Sequence, residues 1–339
     1  MLRTIKLSFI YLSGVIGAGF ITGREIYSYF GRFGFWGFLG ALVSMLLFFV
    51  TAVKLSRIII NEDCRDLKAV SKAIFGENRG AVVCLLTAVF LYCMYVVMLA
   101  GASELLRDYL NFGKWSAAVS VTCFCIVLLF AGFSGLATVC SVAAPVTAVI
   151  MLLTLALSGS YKSFFSRLVV SGDVGKFDFL CIGAAVVYCG YNLLVLLSVM
   201  PRASKNTDTY KDLKRGNVGG VFLVGGLIFA VLAGIYDMEG RNTSMPLLYK
   251  ATEYNGVLRI LMLLAVFITM ILSCAVNLSN CGRELSLKLG CSEKTAGIIL
   301  ALAGCLLSFI GFGRLMDILY TFFGALGVIL IIPLVFRRK

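Results

Sequence analysis

Histidine does not occur among the 339 residues, and charged residues make up only 14% of the chain. The first absence removes the commonest metal ligand and general base, and no paired-aspartate signature or metal-ligand cluster takes its place. The twelve cysteines form no CxxC motif. Most of them stand in apolar runs, where a free cysteine packs as a small hydrophobic residue. An enzyme is therefore the least favoured class, and neither a metal site nor a cofactor is predicted.

Charge is scarcest between Lys114 and Lys162, where no charged residue occurs. A membrane-spanning helix needs about 20 apolar residues, so this stretch crosses a bilayer twice and turns near the segment AGFSGLA. Hydrophobic residues make up 60% of the chain, against roughly half in soluble domains. The alternating pattern of a membrane β-barrel is missing. We predict an all-α integral membrane protein, with residues 1–339 as a single transmembrane domain in the lipid bilayer.

The net charge of +13 is carried by short basic segments between apolar runs and not by a basic surface with interleaved aromatic residues. We therefore expect no nucleic-acid partner, and the sequence names no protein partner. Most of the 30 lysines and arginines fall on the same side as the N-terminus. The positive-inside rule then predicts cytoplasmic N- and C-termini in a multi-pass membrane protein.

The apolar runs predict ten spans. We place them at residues 5–30, 33–53, 80–106, 115–133, 137–159, 178–200, 216–237, 256–281, 295–312 and 315–336. The polar segment from Lys54 to Arg79 has apolar residues at helical spacing among its charges, which predicts an amphipathic helix at the cytoplasmic surface. A solvated connector is favoured there over a lipid-binding or regulatory role.

The first span, which contains SGVIGAGFITGREIYSYF, is unusual because it holds four glycines and an adjacent Arg24–Glu25 pair. Each glycine costs a helix interior about 1 kcal/mol relative to alanine, although such residues usually form a seam for close helix packing. Charges within the membrane generally face a protein interior. The segment TGRE fits a capping box in which Thr22 caps a new helix. We predict that the span stops at its glycines and restarts at Thr22.

Ten spans divide into two sets of five, residues 1–160 and 170–336, which predicts a five-plus-five repeat. Span six carries YCGYN at its centre, Tyr188 to Asn192, and this glycine between tyrosines predicts a second discontinuous helix at the equivalent position. Paired broken helices of this kind mark transporter binding sites. An odd number of spans per repeat inverts the second half relative to the first.

The segment GAGF, Gly17 to Phe20, resembles the first-span signature of the amino acid, polyamine and organocation transporter superfamily. The longer string GAGFITGREI, together with YCGYN, resembles more narrowly the YkvI-type family of bacterial membrane proteins within it. The resemblance implies a LeuT-like fold and secondary active transport of an amino acid or related small amine by alternating access. A ligand-sensing receptor on the same fold, such as a germinant-receptor-like subunit, is the alternative.

The resemblance also implies a substrate site at the two predicted breaks. Open backbone amides near the first break would hold a substrate carboxylate. On span three, Tyr95 is favoured over Tyr92, with ordinary aromatic packing as the competing explanation. The expected substrate-binding residues are Gly17, Ala18, Gly19, Phe20, Thr22, Tyr95, Tyr188, Gly190, Tyr191 and Asn192.

The coupling ion is left open between a proton and sodium. Sodium-driven relatives pair two hydroxyl residues in span eight, whereas here Ser273 is followed by Cys274, and Thr269 one turn earlier is the substitute. A hard cation prefers oxygen ligands, so the cysteine weakens the sodium hypothesis. Glu25 is the leading proton carrier, with a purely capping role as its alternative.

Overall fold

The computed structural model describes residues 2–159, 161, 177–205, 207, 209–236 and 245–336, and this part of the chain is helical without strands. Short 3-10 turns at Gly31–Phe33 and Ser308–Ile310 join some of the helices. The α-helices are α1 Leu2–Val15, α2 Ala18–Ile21, α3 Arg24–Tyr29, α4 Trp36–Asn61, α5 Leu67–Phe75, α6 Glu77–Leu110, α7 Lys114–Leu129, α8 Gly132–Leu157, α9 Leu180–Ala203, α10 Tyr210–Gly234, α11 Pro246–Tyr254, α12 Gly256–Leu289, α13 Glu293–Leu307 and α14 Phe312–Phe336.

Within the described residues, 7 helical segments are long and apolar enough to cross a membrane: α4, α6, α8, α9, α10, α12 and α13 with its following turn. This confirms the all-α membrane class. The other three predicted spans fall on the interrupted α1 to α3, on the 16-residue α7 and on α14. The count of ten spans stays a prediction, because these three are short, broken or only partly described.

The first helix is the centre of the bundle. α1 packs against α8, α9 and α10, while α6 packs against α12 and α9 packs against α4 and α14. Glycines of α10 permit a close approach to α1: the Ser8 hydroxyl donates to the Gly216 carbonyl at 2.8 Å, and a Cβ on Gly220 would lie 2.5 Å from that of Tyr11. Small residues therefore form a packing seam here, on the partner of α1.

The predicted amphipathic helix is α5. Asp66 caps its N-terminus by accepting from the Ala69 amide at 2.8 Å, and Asp66 also pairs with Arg283 of α12 at 3.1 Å. Arg65 donates to the carbonyls of Ser204 and Lys205 just beyond α9. These contacts dock α5 on the ends of two spans and agree with its interpretation as a connector.

Span six corrects one prediction, because α9 runs unbroken from Leu180 to Ala203. The Asn192 side chain donates to the Tyr188 carbonyl at 3.0 Å and thus bonds to its own helix. Gly190 lies where α9 crosses α14, and a Cβ there would come within 2.7 Å of the Gly327 carbonyl carbon. The glycine in YCGYN serves a close helix crossing and does not mark an unwound segment.

Candidate functional site

The first span is interrupted in the structure, as predicted, but with a different shape. α1 ends at Val15, the Gly17 amide donates to the Val15 carbonyl at 2.9 Å, and the single turn α2 follows at once. Ala18 and Gly19 are therefore helical and not unwound. The interruption at Ile16 and Gly17 ends the regular hydrogen-bonding pattern of α1, so some backbone groups at the break need partners outside the two helices.

A second interruption precedes α3 and corrects the predicted capping box. The residue at the N-cap of α3 is Gly23, with φ at 79°, and no side chain caps the helix. The Thr22 hydroxyl instead donates to the Gly19 carbonyl at 3.2 Å. The left-handed turn at Gly23 separates Thr22 from α3 and makes Glu25 its second residue, so the reciprocal geometry of a capping box is not formed.

A cavity lies beside the first interruption. About 70 Å³ of it is open to the centres of water-sized molecules, and the cavity is partly continuous with solvent. Its wall is formed by the last turns of α1 up to Gly17, by Glu25 of α3, and by residues of α6, α8, α9 and α12. The broken segment thus borders a space closed in by four other helices.

Six of the thirteen predicted site residues line this cavity: Gly17, Glu25, Tyr191, Asn192, Thr269 and Ser273. Phe20 and Thr22 are fully buried beyond the interruption, and Gly19 is also away from the wall. The Ala18 side chain lies outside the described part. The structure separates the remaining three, Tyr95, Tyr188 and Gly190, from the cavity.

Tyr95 is directed toward α13. Its hydroxyl donates to the Ala301 carbonyl at 3.2 Å, which agrees with the packing explanation. Span three offers Met94 and Met98 to the cavity instead. The signal that sequence reasoning missed is helical spacing: residues four apart share a face, and Tyr95 is one position removed from it.

Tyr188 belongs to a buried aromatic cluster. Its ring centroid lies 5.0 Å from that of Phe30, 5.4 Å from Tyr29 and 5.5 Å from Tyr191. Edge-to-face contacts of this kind stabilise packed aromatic groups. Tyr191 belongs to both the cluster and the cavity wall, so the cluster supports the wall on the side of α9.

The polar face of α12 is formed by Thr269, Ser273 and Asn277, which recur every four residues. The Thr269 hydroxyl lies 3.4 Å from that of Thr147 on α8. The Cys274 thiol points the other way and donates to the Tyr95 carbonyl at 3.6 Å. The cysteine is thus outside the hydroxyl face, and Asn277 is a wall residue that the sequence analysis overlooked.

Glu25 is the one charged side chain in the described wall of the cavity, and its exposed fraction is 3%. No group of three potential metal ligands occurs among the described residues. A charge at this depth generally serves a pathway or a ligand.

The two ends of the cavity differ. Beyond the interruption, the Leu247 amide of α11 donates to the Thr22 carbonyl at 3.0 Å, which places α11 over the broken span. Toward the start of α1, the cavity wall residues Ile10, Phe133 and Ala137 also border a second cavity that is lined by Lys6 and Arg202. The site is covered on the α11 side and adjoins a basic opening on the N-terminal side.

Comparisons with known proteins agree with this architecture. No protein-family model matches the sequence. The chain is 25% identical over 337 residues to the uncharacterized membrane protein YkvI of Bacillus subtilis strain 168, and the match covers 98% of this chain and 95% of YkvI. The likeness to YkvI inferred from short motifs therefore extends over nearly the whole chain.

Solved structures share the fold at low identity. A Na⁺-coupled sialic acid symporter in its substrate-bound outward-open state gives a TM-score of 0.69 at 12% identity, over 98% of this chain and 79% of that one. MhsT in complex with L-phenylalanine gives 0.64 at 16% identity, over 96% and 87%. Mhp1, a nucleobase-cation-symport-1 family transporter, gives 0.56 at 16% identity, over 90% and 71%. The fold is LeuT-like, and two of these neighbours are a Na⁺-coupled symporter and a nucleobase-cation-symport-1 family transporter.

Proposed function

We propose that the protein is a secondary active transporter of an amino acid or related small amine, working by alternating access. The interruption of the first span in the wall of a cavity bordered by four other helices is the observation that supports this most directly. Broken helices at membrane depth are tolerated where they line a cavity, and they supply backbone groups to transporter sites. The transporter fold of the similar structures supports the same function.

The substrate would lie between the interruption and α9. The first amide of α2, at Ala18, has no acceptor in its own helix and directly follows Gly17 in the cavity wall, so it would receive a carboxylate. Tyr191 and Asn192 would form the opposite wall, with Met98 of α6 beside Gly17 at 3.5 Å from the position of an added Cβ. Glu25 supplies the one negative side chain for an ammonium group.

The wall offers one group for each candidate coupling ion. Thr269 and Ser273 present hydroxyl oxygens across the cavity from the last carbonyls of α1, a combination that suits a hard cation such as sodium. The turned-away thiol of Cys274 no longer counts against it. Glu25, without a capping box, is the candidate proton carrier.

The five-plus-five inverted repeat is supported by the packing of the helices. If each predicted span is matched with the span five places later, several contacts occur in equivalent pairs. The contact of α1 with α10 matches that of α9 with α4, and α1 with α8 matches α9 with α14. Likewise α6 with α7 matches α12 with α13. With cytoplasmic termini in a bacterial cell membrane, the basic opening would face the cytoplasm.

The proposal is tested by a thermal-shift screen of the purified protein against amino acids and amines, with and without sodium. A ligand stabilises the state that it binds. We expect an amino acid or amine to raise the melting temperature, and sodium to enhance the effect. A screen in which no such compound stabilises the protein would contradict the substrate class.

A further inference from the structure

The basic opening next to the central cavity has a one-sided charge. It is lined by four cationic side chains, Arg3, Lys6, Arg202 and Lys205, which we call the basic mouth. Its apolar and hydroxyl lining includes Ile10, Phe133 and Ala137, which also border the central cavity. In the described part of this lining there is no aspartate or glutamate. A solute leaving the cavity on this side therefore passes directly between cations.

Two of the four cations of the basic mouth, Lys6 and Arg202, are held in place by neighbouring side chains. Lys6 donates to the neutral Thr138 hydroxyl at 2.8 Å, which fixes its ammonium group and leaves its charge intact. Arg202 is buried, with the guanidinium 4.1 Å from the Phe133 ring centroid and 2.7 Å from the Asn280 amide oxygen. Among the described residues, the Arg202 guanidinium forms an ion pair with Glu293 at 3.4 Å. Lys205 is exposed at the rim, so the mouth keeps an excess of positive charge.

We propose that the basic mouth is an electrostatic filter that concentrates carboxylate-bearing solutes at the central cavity and repels organic cations, so that the substrate carries a carboxylate and no net positive charge. This inference deepens the proposed transport function, and its statement about the substrate rests on that function. The filter itself is a property of the chain that is measurable without any transport.

The physical reason is that a cleft with low-dielectric walls and charges of one sign focuses the field. Such potentials reach several kT and change the local concentration of charged solutes by about tenfold or more. Glu25 lies deeper, at the interruption, where it suits the ammonium group of a zwitterion. A simple amine would be attracted by Glu25 but would have to pass the mouth against the field.

Basic residues on this side of a membrane protein also serve as topology signals. A topology signal acts through charge on the loops as a whole, whereas a filter requires these particular cations beside the passage. The two explanations differ in the potential at the cavity wall. Cys140 is a native thiol in that wall, deep to the mouth, and reports the potential there.

The experiment compares two impermeant thiol reagents of similar size and opposite charge, sulfonatoethyl and trimethylammonioethyl methanethiosulfonate. The protein is held in nanodiscs, which leave both sides accessible. The modification rate of Cys140 is measured by mass spectrometry of its peptide, which separates it from the other cysteines. The ratio of the anionic to the cationic rate is divided by the same ratio for a free thiol such as 2-mercaptoethanol, which cancels the intrinsic reactivities of the reagents as well as that of Cys140.

We expect the anionic reagent to react faster at low salt, and the double variant Lys6→Gln, Lys205→Gln to reduce the ratio. A fall of one kT in potential changes each rate about threefold in opposite directions, and hence the ratio about sevenfold. High salt should reduce the ratio as well, because the Debye length falls from about 30 Å at 0.01 M to about 3 Å at 1 M.

The matched control is Lys68→Gln with Lys288→Gln, which removes two exposed lysines that border a different groove. This variant should keep the wild-type ratio. A ratio near one in the wild type, or an equal fall in both double variants, would overturn the filter and leave topology as the explanation. If Cys140 reacts with neither reagent, Ser134→Cys in the mouth lining is used. If this introduced cysteine is modified by neither reagent, the mouth is closed, and this result would also overturn the proposal.

Failure of the filter is distinguishable from failure of the transport proposal. The reagent ratio needs no substrate, no gradient and no flux. If the ratio favours the anionic reagent but no ligand is found in the thermal-shift screen, the filter stands and the transport proposal is contradicted. If the ratio is near one but an amino acid stabilises the protein, the filter is contradicted and the transport proposal stands.

Discussion

The Leu247 backbone amide donates to the Thr22 carbonyl at 3.0 Å, which joins α11 to the chain between the two interruptions of the first span. Gly23 follows directly, with φ at 79° and a would-be Cβ 3.2 Å from Leu247 Cγ. Residues other than glycine pay about 1–2 kcal/mol for this left-handed conformation. The packing of α11 against the first span therefore depends on glycine at position 23.

The variant Gly23→Ala should lose about 1–2 kcal/mol of stability because of this strain, seen as a lower melting temperature in detergent. Gly226→Ala is the matched control, since no atom lies within 4 Å of its added Cβ in α10. Its melting temperature should be unchanged or slightly higher. Equal stability of the two variants would show that the turn at Gly23 is not strained by a side chain.

Gly190→Ala tests the helix crossing that replaced the predicted second break. The added Cβ would meet the backbone of Gly327 and Val328 at 2.7 and 2.8 Å, and overpacking of this kind costs about 1–3 kcal/mol. Gly183→Ala, in the same helix with nothing within 4 Å, should be tolerated. A stable Gly190→Ala protein with altered ligand affinity would favour a flexible segment over a crossing.

Ser273→Ala and Cys274→Ala separate two adjacent positions that face different ways. Loss of one oxygen ligand should weaken sodium-dependent stabilisation by roughly tenfold in sodium concentration, in line with bonds to charged groups. Cys274→Ala should leave it unchanged, because its thiol faces the Tyr95 carbonyl. Titration of the melting temperature with sodium measures both. A larger effect at Cys274 would place the ion elsewhere.

Glu25→Gln tests the proton hypothesis without changing the shape of the residue. Glutamine cannot take up and release a proton, so accumulation driven by a pH gradient should be lost, while exchange of substrate across proteoliposome membranes should persist at a higher substrate concentration because the ammonium group loses its negative partner. Any sodium-driven accumulation should remain. Full pH-driven accumulation by Glu25→Gln would show that Glu25 carries no coupling proton.

The sequence predicts much of the fold, because long apolar runs and a small-residue break have direct physical consequences. Three features can be predicted in this way: the membrane class, the interruption near Gly17, and the position of Glu25 and Ser273 at the cavity. Features that depend on contacts between distant parts of the chain cannot be predicted from the sequence alone. Gly190 looks the same in a break as in a crossing until Gly327 is seen beside it.

The predictions of the helix cap and of the direction of Tyr95 were wrong for similar reasons. TGRE has the composition of a capping box, but a left-handed Gly23 turns the chain before the box forms. Tyr95 stands one residue away from the face shared by Met94 and Met98, and a single position rotates a helical side chain by about 100°. Without knowledge of the packing partner, neither outcome follows from residue type.

The most direct test of the transport site is counterflow of a radiolabelled amino acid chosen from the thermal-shift screen, in proteoliposomes of the wild type and of Gly17→Leu. The added side chain would enter the cavity at the interruption, near Met98. We predict counterflow by the wild type and its loss in Gly17→Leu, with the variant still folded by its melting transition. Binding without counterflow in the wild type would indicate a sensor, and full counterflow by Gly17→Leu would contradict a substrate site at the broken helix.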